Sequence, residues 1–408
     1  MERDLRSGRT VRKLLWVLGV AVVAGFAVVA AGCGGDDDEG TGTETTAAGG
    51  TCDKSIWVLL PDSATSPRWE TDDRKYFDEA FTEAGVDHTI VNAEGEAATM
   101  QSQAEQAIAD GAGVIVLTSL DPGSGGAIIA LAKDAGVQVI EYDRFNPEGS
   151  GGAAYVSFDN VQVGRKMAEA LEPAIDALDV DTPAVVMLNG GEEDNNSFQF
   201  RAGYAETVEK RVDDGDWTLV ADQHVPGWGA TGEGQTIMEQ ILTDANNQVN
   251  GVFAANDNLA QQAINALEAA GVGTVPVSGQ DASAAGMQNI ALGKQTVSVY
   301  KPIQDEAKVA ADVALALCGG EDFQQAATDY ESALESGGAS VSIIGIDAKT
   351  GEATDSAEGE GVVPYVALVP IGVTVDNMAD TVVADGFRTI DEICTGDTAD
   401  TDFCKENS

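Results

Sequence analysis

From residue 55 onward, short β-rich runs alternate with longer stretches whose apolar residues recur at helical spacing. The runs IWVLL at 56–60, HTIVNA at 88–93, VIVLTS at 114–119 and VQVIEYD at 137–143 predict a first cycle of strands. AYVSFDN at 154–160 and the helical stretch VQVGRKMAEALEPAIDAL lead into a second cycle. That cycle runs through PAVVMLNG at 183–190, WTLVADQHV at 217–225, GVFAAND at 251–257, TVPVSGQD at 274–281 and TVSVYK at 296–301. Apolar, β-branched runs of this kind read as strands buried on both faces, and strand–helix alternation builds a parallel sheet wrapped by helices. The first helix shows Trp69, Phe77, Ala80, Phe81 and Ala84 on one face, with Pro67 near its start. After the helix that reaches Cys318, the acidic, Gly-rich residues 319–361 have little periodicity apart from ASVSIIGI, and much of that region reads as surface insertion or loop. A strand-like run, PYVALVPIGV, and a helical piece, DNMADTVVADGF, follow, and no solenoid period is visible.

The run VIEYDRF at 139–145 organises the chemistry, because it ends abruptly in Asp143 and Arg144. In open α/β sheets ligands sit at that carboxyl edge. Other predicted strand ends repeat the pattern: Asp62 with Arg68 and Trp69, Asn189 with Asp194 to Asn196, Asn256 with Asp257, Gln280 with Asp281, and Lys301. Planar amides, carboxylates and guanidinium groups each engage adjacent hydroxyls in pairs, so the set suits a neutral polyhydroxylated ligand. Trp69 and Trp228 stand in polar loop contexts where an indole can pack on the apolar C–H face of a sugar ring. Any single Asn–Asp or Asp–Arg pair is more often a cap or turn than a contact, so the argument rests on recurrence.

Catalytic readings find little support. The chain has two histidines, His88 and His224, and no GxSxG. GWGATG at 227–232 matches GxGxxG, but Pro226 and the bulky Trp228 oppose close pyrophosphate approach. Strand-end Asp residues accompanied by Asn, Arg and Lys favour holding a ligand over hydrolysing a glycoside. No enzyme activity, cofactor or metal is expected.

With 408 residues the chain is long enough for two lobes with real cores. A net charge of −46 and a pI near 4.1 give a surface that repels nucleic acid and anionic lipid. At the N-terminus, Arg3, Arg6, Arg9, Arg12 and Lys13 precede an apolar run at 14–31, the form of an export signal. Ala30-Ala31-Gly32-Cys33 resembles the lipobox of bacterial lipoproteins, with Ala30 where Leu is usual. Cys33 is then the expected lipidation site, and residues 33–52 a polar tether. An uncleaved transmembrane anchor is the alternative, and it too places the bulk of the chain outside. Cys52, Cys318, Cys394 and Cys404 remain, an even number in an exported chain, without zinc-type spacing. Of three connectivities, Cys394 with Cys404 across a short polar loop is favoured, which leaves Cys52 for Cys318.

The motifs SPRW, EYDRF, YVSFDN, EEDNNSFQFRAGY, AANDN, VSGQDA and VYKPI occur in an order that resembles the sugar-binding proteins of bacterial ABC importers, xylose-type members above all. The resemblance covers residues 56–387. It implies a type I periplasmic-binding fold: α/β, with two Rossmann-like doubly wound lobes, a three-crossing hinge, and a sugar enclosed between them. The lobes would comprise residues 53–157 with 302–363, and 158–301 with 364–408, after a signal peptide at 1–32. Crossings are implied near 157–160, near 301–302 and before the PYVALVP run. Carried over by residue, Arg68, Trp69, Asp143, Arg144, Asn196, Trp228, Asn256, Asp281 and Lys301 resemble sugar contacts. Phe198 departs from the usual Lys, and His224 from the frequent aromatic. The implied role is a monomeric, membrane-anchored receptor that hands an aldose to an ABC permease; a sensor of the same fold, signalling to a chemoreceptor or kinase, is the alternative. On this reading Asp143→Ala abolishes binding and leaves the fold intact.

Overall fold

The structure is a computed structural model that describes residues 52–64, 66–147, 149, 151–323 and 340–407. The expected signal peptide, Cys33 and the tether to residue 51 lie outside the described residues. In chain order the strands are β1 (Ile56–Leu60), β2 (His88–Asn92), β3 (Val114–Leu117), β4 (Gln138–Tyr142), β5 (Ala154–Phe158), β6 (Ala184–Asn189), β7 (Thr218–His224), β8 (Gly251–Ala254), β9 (Ser298–Tyr300), β10 (Val341–Asp347), β11 (Ala353–Thr354), β12 (Val362–Leu368) and β13 (Ile371–Val373). The main helices are α1 (Arg74–Ala84), α2 (Ala97–Ala109), α3 (Pro122–Asp134), α4 (Asn160–Asp176), α5 (Asn195–Asp213), α6 (Glu233–Asp244), α7 (Asp257–Ala270), α8 (Ala284–Ala291) and α9 (Ile303–Cys318).

The first lobe is built on an eight-stranded sheet in the order β11-β10-β12-β5-β4-β3-β1-β2. Its period-two alternation explains why the runs are apolar throughout. Ile56, Val58 and Leu60 join Phe77 and Phe81 of α1 and Ala307, Ala310 and Val313 of α9 in one core. Trp57 and Leu59, on the other face, pack with Met100 and Ala104 of α2 and Ile128 of α3. Trp69–Asp73 form a π-helical turn that leads into α1.

The second lobe centres on β7-β6-β8, with Met167, Leu171, Tyr204 and Leu259 closing over Val185 to Leu188. TVPVSGQD forms only isolated bridges rather than the expected strand: Val277 with Val252, and Gln280 with Val299. Pro276 has no N–H to donate, and the left-handed backbone of Asp281 (φ 100°) turns the chain away. The bridges still extend the pairing from β8 toward β9 and β13.

Two further expectations change. Within residues 319–361, the run ASVSIIGI supplies most of β10, which pairs antiparallel with the whole of β12, and the region holds more sheet than expected because β11 pairs with β10. In addition, Tyr365 to Leu368 pair in parallel with Tyr155 to Phe158 of β5, so residues 364–368 lie in the first sheet. The chain therefore crosses after the PYVAL run, between β12 and β13, rather than before it. Chain passages also join β5 to α4 and β9 to α9. Disulfides join Cys52 to Cys318 and Cys394 to Cys404. Among the described residues no helix is long and apolar enough to cross a membrane.

Candidate functional site

The carboxyl ends of β1, β4, β6 and β8 face one cleft, and all nine residues singled out from the sequence line a single cavity there. Arg68, Trp69, Asp143 and Arg144 come from the first lobe. Asn196, Trp228, Asn256 and Asp281 come from the second, and Lys301 stands at the passage from β9 to α9. Ser66, Asp194, Phe200 and Gln280 complete the lining. The cavity is tight: about 40 Å³ is open to the centre of a water-sized sphere, so the side chains around it already stand close together.

Asp143 is the hub. Its backbone is left-handed (φ 60°), a conformation Asp tolerates better than most residues, and this turns the chain just after β4. Its carbonyl accepts from Tyr155 Oη (2.9 Å), Ser157 Oγ (3.1 Å) and Asn196 Nδ2 (3.0 Å). Its carboxylate accepts from Arg68 Nη1 (3.0 Å), Lys301 Nζ (3.2 Å) and Asn196 Nδ2 (3.2 Å). Burial opposes ionisation, but the charges of Lys301, Arg68 and Arg144 prevail and hold this carboxyl well below its usual range.

Arg68 is fixed from behind. Its Nε and Nη2 donate to Asp73 (2.9 and 2.8 Å), Nη2 also to Glu306 (3.0 Å), and Nη1 to Asp143. Four of the five N–H donors of a guanidinium are thus used by protein carboxylates. Tyr142 Oη donates to the same Asp73 (2.7 Å). Burial, and then the charge of Asp143, push Glu306 upward, with Arg68 opposing. The Arg68 guanidinium lies 4.2 Å from the Trp69 ring centroid, and the buried Trp69 Nε1 has no acceptor among the described residues. A ligand oxygen in the cavity would satisfy that donor.

From the other lobe, Asp194 sits 3.2 Å from Arg144 Nε and caps α5 by accepting from the Asn196 N–H. Burial pushes Asp194 upward against the pull of Arg144. Asn196 also accepts from Asn160 Nδ2 (2.9 Å). Asn256 combines two roles: its Oδ1 caps α7 through the Leu259 N–H, which leaves its amide donor for the cavity. Gln280 Nε2 donates to Asp281 Oδ1 (2.6 Å), and burial together with the Asp257 charge raises Asp281 to about 6. Trp228, also left-handed (φ 54°), meets Phe200 edge-on at 5.9 Å. Gly190 makes room for that indole, since a Cβ there would lie 2.4 Å from its ring.

Phe200, Asp73 and Glu306 were not singled out from the sequence. Phe200 follows Asn196 by one helical turn and so shares its face. Glu306 is an acidic residue on the apolar stripe of α9, which is itself a readable anomaly. Asn189 and Asp257, by contrast, are strand-end residues spent on structure: Asn189 on Tyr204 and Asp222, Asp257 on Ser283 and Gln295. Phe198 and His224 pair with each other at 5.0 Å and are absent from the cavity lining, so neither departure from the resemblance touches it.

Residues 57–322 match the family model described as the periplasmic binding protein domain. The chain belongs to the periplasmic binding protein family. It is 34% identical over 328 residues to the D-xylose-binding periplasmic protein of Escherichia coli (strain K12), covering 80% of this chain and 88% of that one. The corresponding protein of Haemophilus influenzae is 32% identical, with 82% and 91% covered. Among solved structures, an ABC transporter solute-binding protein from Clostridium phytofermentans with bound β-D-glucose superposes with a TM-score of 0.67, at 24% identity, over 83% of this chain and 100% of that one. The fold is that of the type I periplasmic binding proteins, a family of binding proteins rather than enzymes. In such a frame the cavity's donors, acceptors and indoles suit retention of an uncharged polyol ring.

Proposed function

We propose that this chain is an extracytoplasmic monosaccharide receptor that captures xylose or a similar aldose and delivers it to an ABC permease. The observation that carries the reading is the convergence of nine strand-end residues from both lobes on one cavity. Asp143, Asn196, Asn256 and Asp281 supply acceptors and amide donors for ring hydroxyls, and Arg68, Arg144 and Lys301 the charged donors. Trp228 and Trp69 form the apolar walls. The identity to relatives named for D-xylose supports the choice of sugar.

Binding that touches both lobes favours their closed arrangement, because a ligand shifts a conformational balance only through its differential affinity. That difference lets a permease distinguish loaded from empty receptor. Two disulfides support an oxidising, extracytoplasmic setting. On the N-terminal segment, Cys33 carries the lipid and residues 33–52 form the tether.

Isothermal titration with a panel of aldoses tests the reading: saturable binding of D-xylose or a close analogue is expected, and no binding of any aldose at millimolar concentration overturns it. Mass spectrometry of the mature chain tests the anchor, where an intact Met1 overturns lipidation at Cys33.

A further inference from the structure

The segment 341–354 adds two strands to the edge of the first sheet, and its β10–β11 turn reaches the second lobe. Asp347 Oδ1 accepts from the N–H groups of Lys349 and Thr350, both at 2.9 Å, and the Gly351 N–H donates to the Asp347 carbonyl at 2.9 Å. The closed turn presents the Gly351 carbonyl to α5. There Gln199 Nε2 donates at 3.0 Å and Asn195 Nδ2 at 3.4 Å. Gly351 has φ 69°, and a Cβ would stand 2.8 Å from Asn195 Oδ1, so both conformation and space call for glycine.

The first turns of α5 carry two pairs at i, i+4 spacing. Asn196 and Phe200 line the cavity, while Asn195 and Gln199, displaced by one position, meet the turn. Both amides are 7% exposed, so their bonds to Gly351 are shielded from water. All three groups are polar and can exchange each other for water without stranding apolar surface, which suits a contact that forms and breaks.

We infer that the Gly351 turn is a closing strap: by holding Asn195 and Gln199 from the opposite lobe it positions Asn196 against Asp143, and it slows release of the bound ligand. Asn195 and Gln199 are positioning residues, not ligand contacts. The inference rests on the binding function proposed above, and the experiment separates the two.

Stopped-flow tryptophan fluorescence with D-xylose, on the full chain and on the N195A/Q199A double variant, reads association and dissociation separately. Loss of the two shielded hydrogen bonds that Asn195 and Gln199 make to Gly351 is expected to speed dissociation about tenfold and to leave association unchanged. Asp347→Ala, which loosens the turn from the first lobe, is expected to act in the same direction should the double variant fail to fold. An unchanged dissociation rate in both variants overturns the strap. If the wild-type chain binds no aldose, the sugar reading falls, and small-angle scattering of the unliganded proteins decides the strap alone. An expanded N195A/Q199A supports it, and a profile identical to wild type overturns it.

Discussion

Lys301 Nζ lies 3.2 Å from Asp143 Oδ2, and the same oxygen accepts from Arg68 Nη1 at 3.0 Å. The carboxylate at the centre of the candidate site is therefore also the counter-ion of two buried cations. Asp143→Ala would leave Arg68 with Asp73 and Glu306 but take from Lys301 the carboxylate it pairs with, and breaking such a buried pair costs about 3–5 kcal/mol. The sequence-based expectation that this change spares the fold is revised accordingly. Asp143→Ala is expected to lose ligand binding and to unfold at markedly lower urea concentration; a urea midpoint equal to wild type would show that Lys301 finds another partner.

Trp228 forms the second lobe's aromatic wall only because residue 190 has no side chain. With a Cβ 2.4 Å from its ring carbons, Gly190→Ala must displace the indole rather than the backbone of β6. Aldose affinity is expected to fall about tenfold, the order of one stacking contact. Titration calorimetry reads the affinity and a thermal melt the fold; retained affinity would mean that Trp228 is not a ligand wall.

Glu306 stands behind Arg68 with its ionised form disfavoured, first by burial and then by Asp143. A carboxyl whose folded pKa is raised stabilises the fold fully below its unfolded value, near 4.5, and loses that contribution as pH rises through the folded value. Glu306→Gln keeps an acceptor for Arg68 Nη2 and cannot ionise. Its melting temperature is expected to match wild type near pH 5 and to exceed it increasingly toward pH 9. A variant that melts below wild type at pH 9 would show that the charge is needed to hold Arg68.

The strands read most directly from the sequence are those buried on both faces. β1, β3 and β4 announce themselves as apolar runs because both their faces are covered, and Asp143 is visible because it ends such a run. β11 leaves little trace because it is a two-residue strand at the sheet edge, whereas β10 shows in part as ASVSIIGI; its place in the first sheet is not legible, because it joins β5 only through β12 and β5 lies nearly two hundred residues earlier. The third passage is not legible because PYVALVPIGV is one apolar run, although Leu368 and Ile371 pair in different sheets. Within the site, residues that touch the cavity lay in motifs, whereas Asp73 acts through Arg68, and no local pattern distinguishes it from a surface acid. Asn256 shows that a capping role and a cavity-lining position are compatible, so neither reading of an Asn–Asp pair excludes the other.

Asp281 separates fold from binding by pH. It is half-buried, and burial with the neighbouring Asp257 charge raises it to about 6, opposed by Arg68 and Lys301. For the unliganded chain, the native state holds this proton more tightly than the unfolded state does. Its contribution to stability is therefore complete below the unfolded value near 3.8 and is lost as pH rises through about 6. Ligand binding runs the other way, because the ionised carboxylate is the better acceptor for a sugar hydroxyl. Between pH 7 and pH 5, aldose affinity is expected to weaken severalfold while this group favours the empty fold. Asp281→Asn has no proton to take up, so its affinity is expected to be lower at pH 7 and flat across the same window. Calorimetric titrations at pH 5, 6 and 7 on both proteins check this; parallel pH profiles would show that Asp281 is not the group that titrates against the ligand.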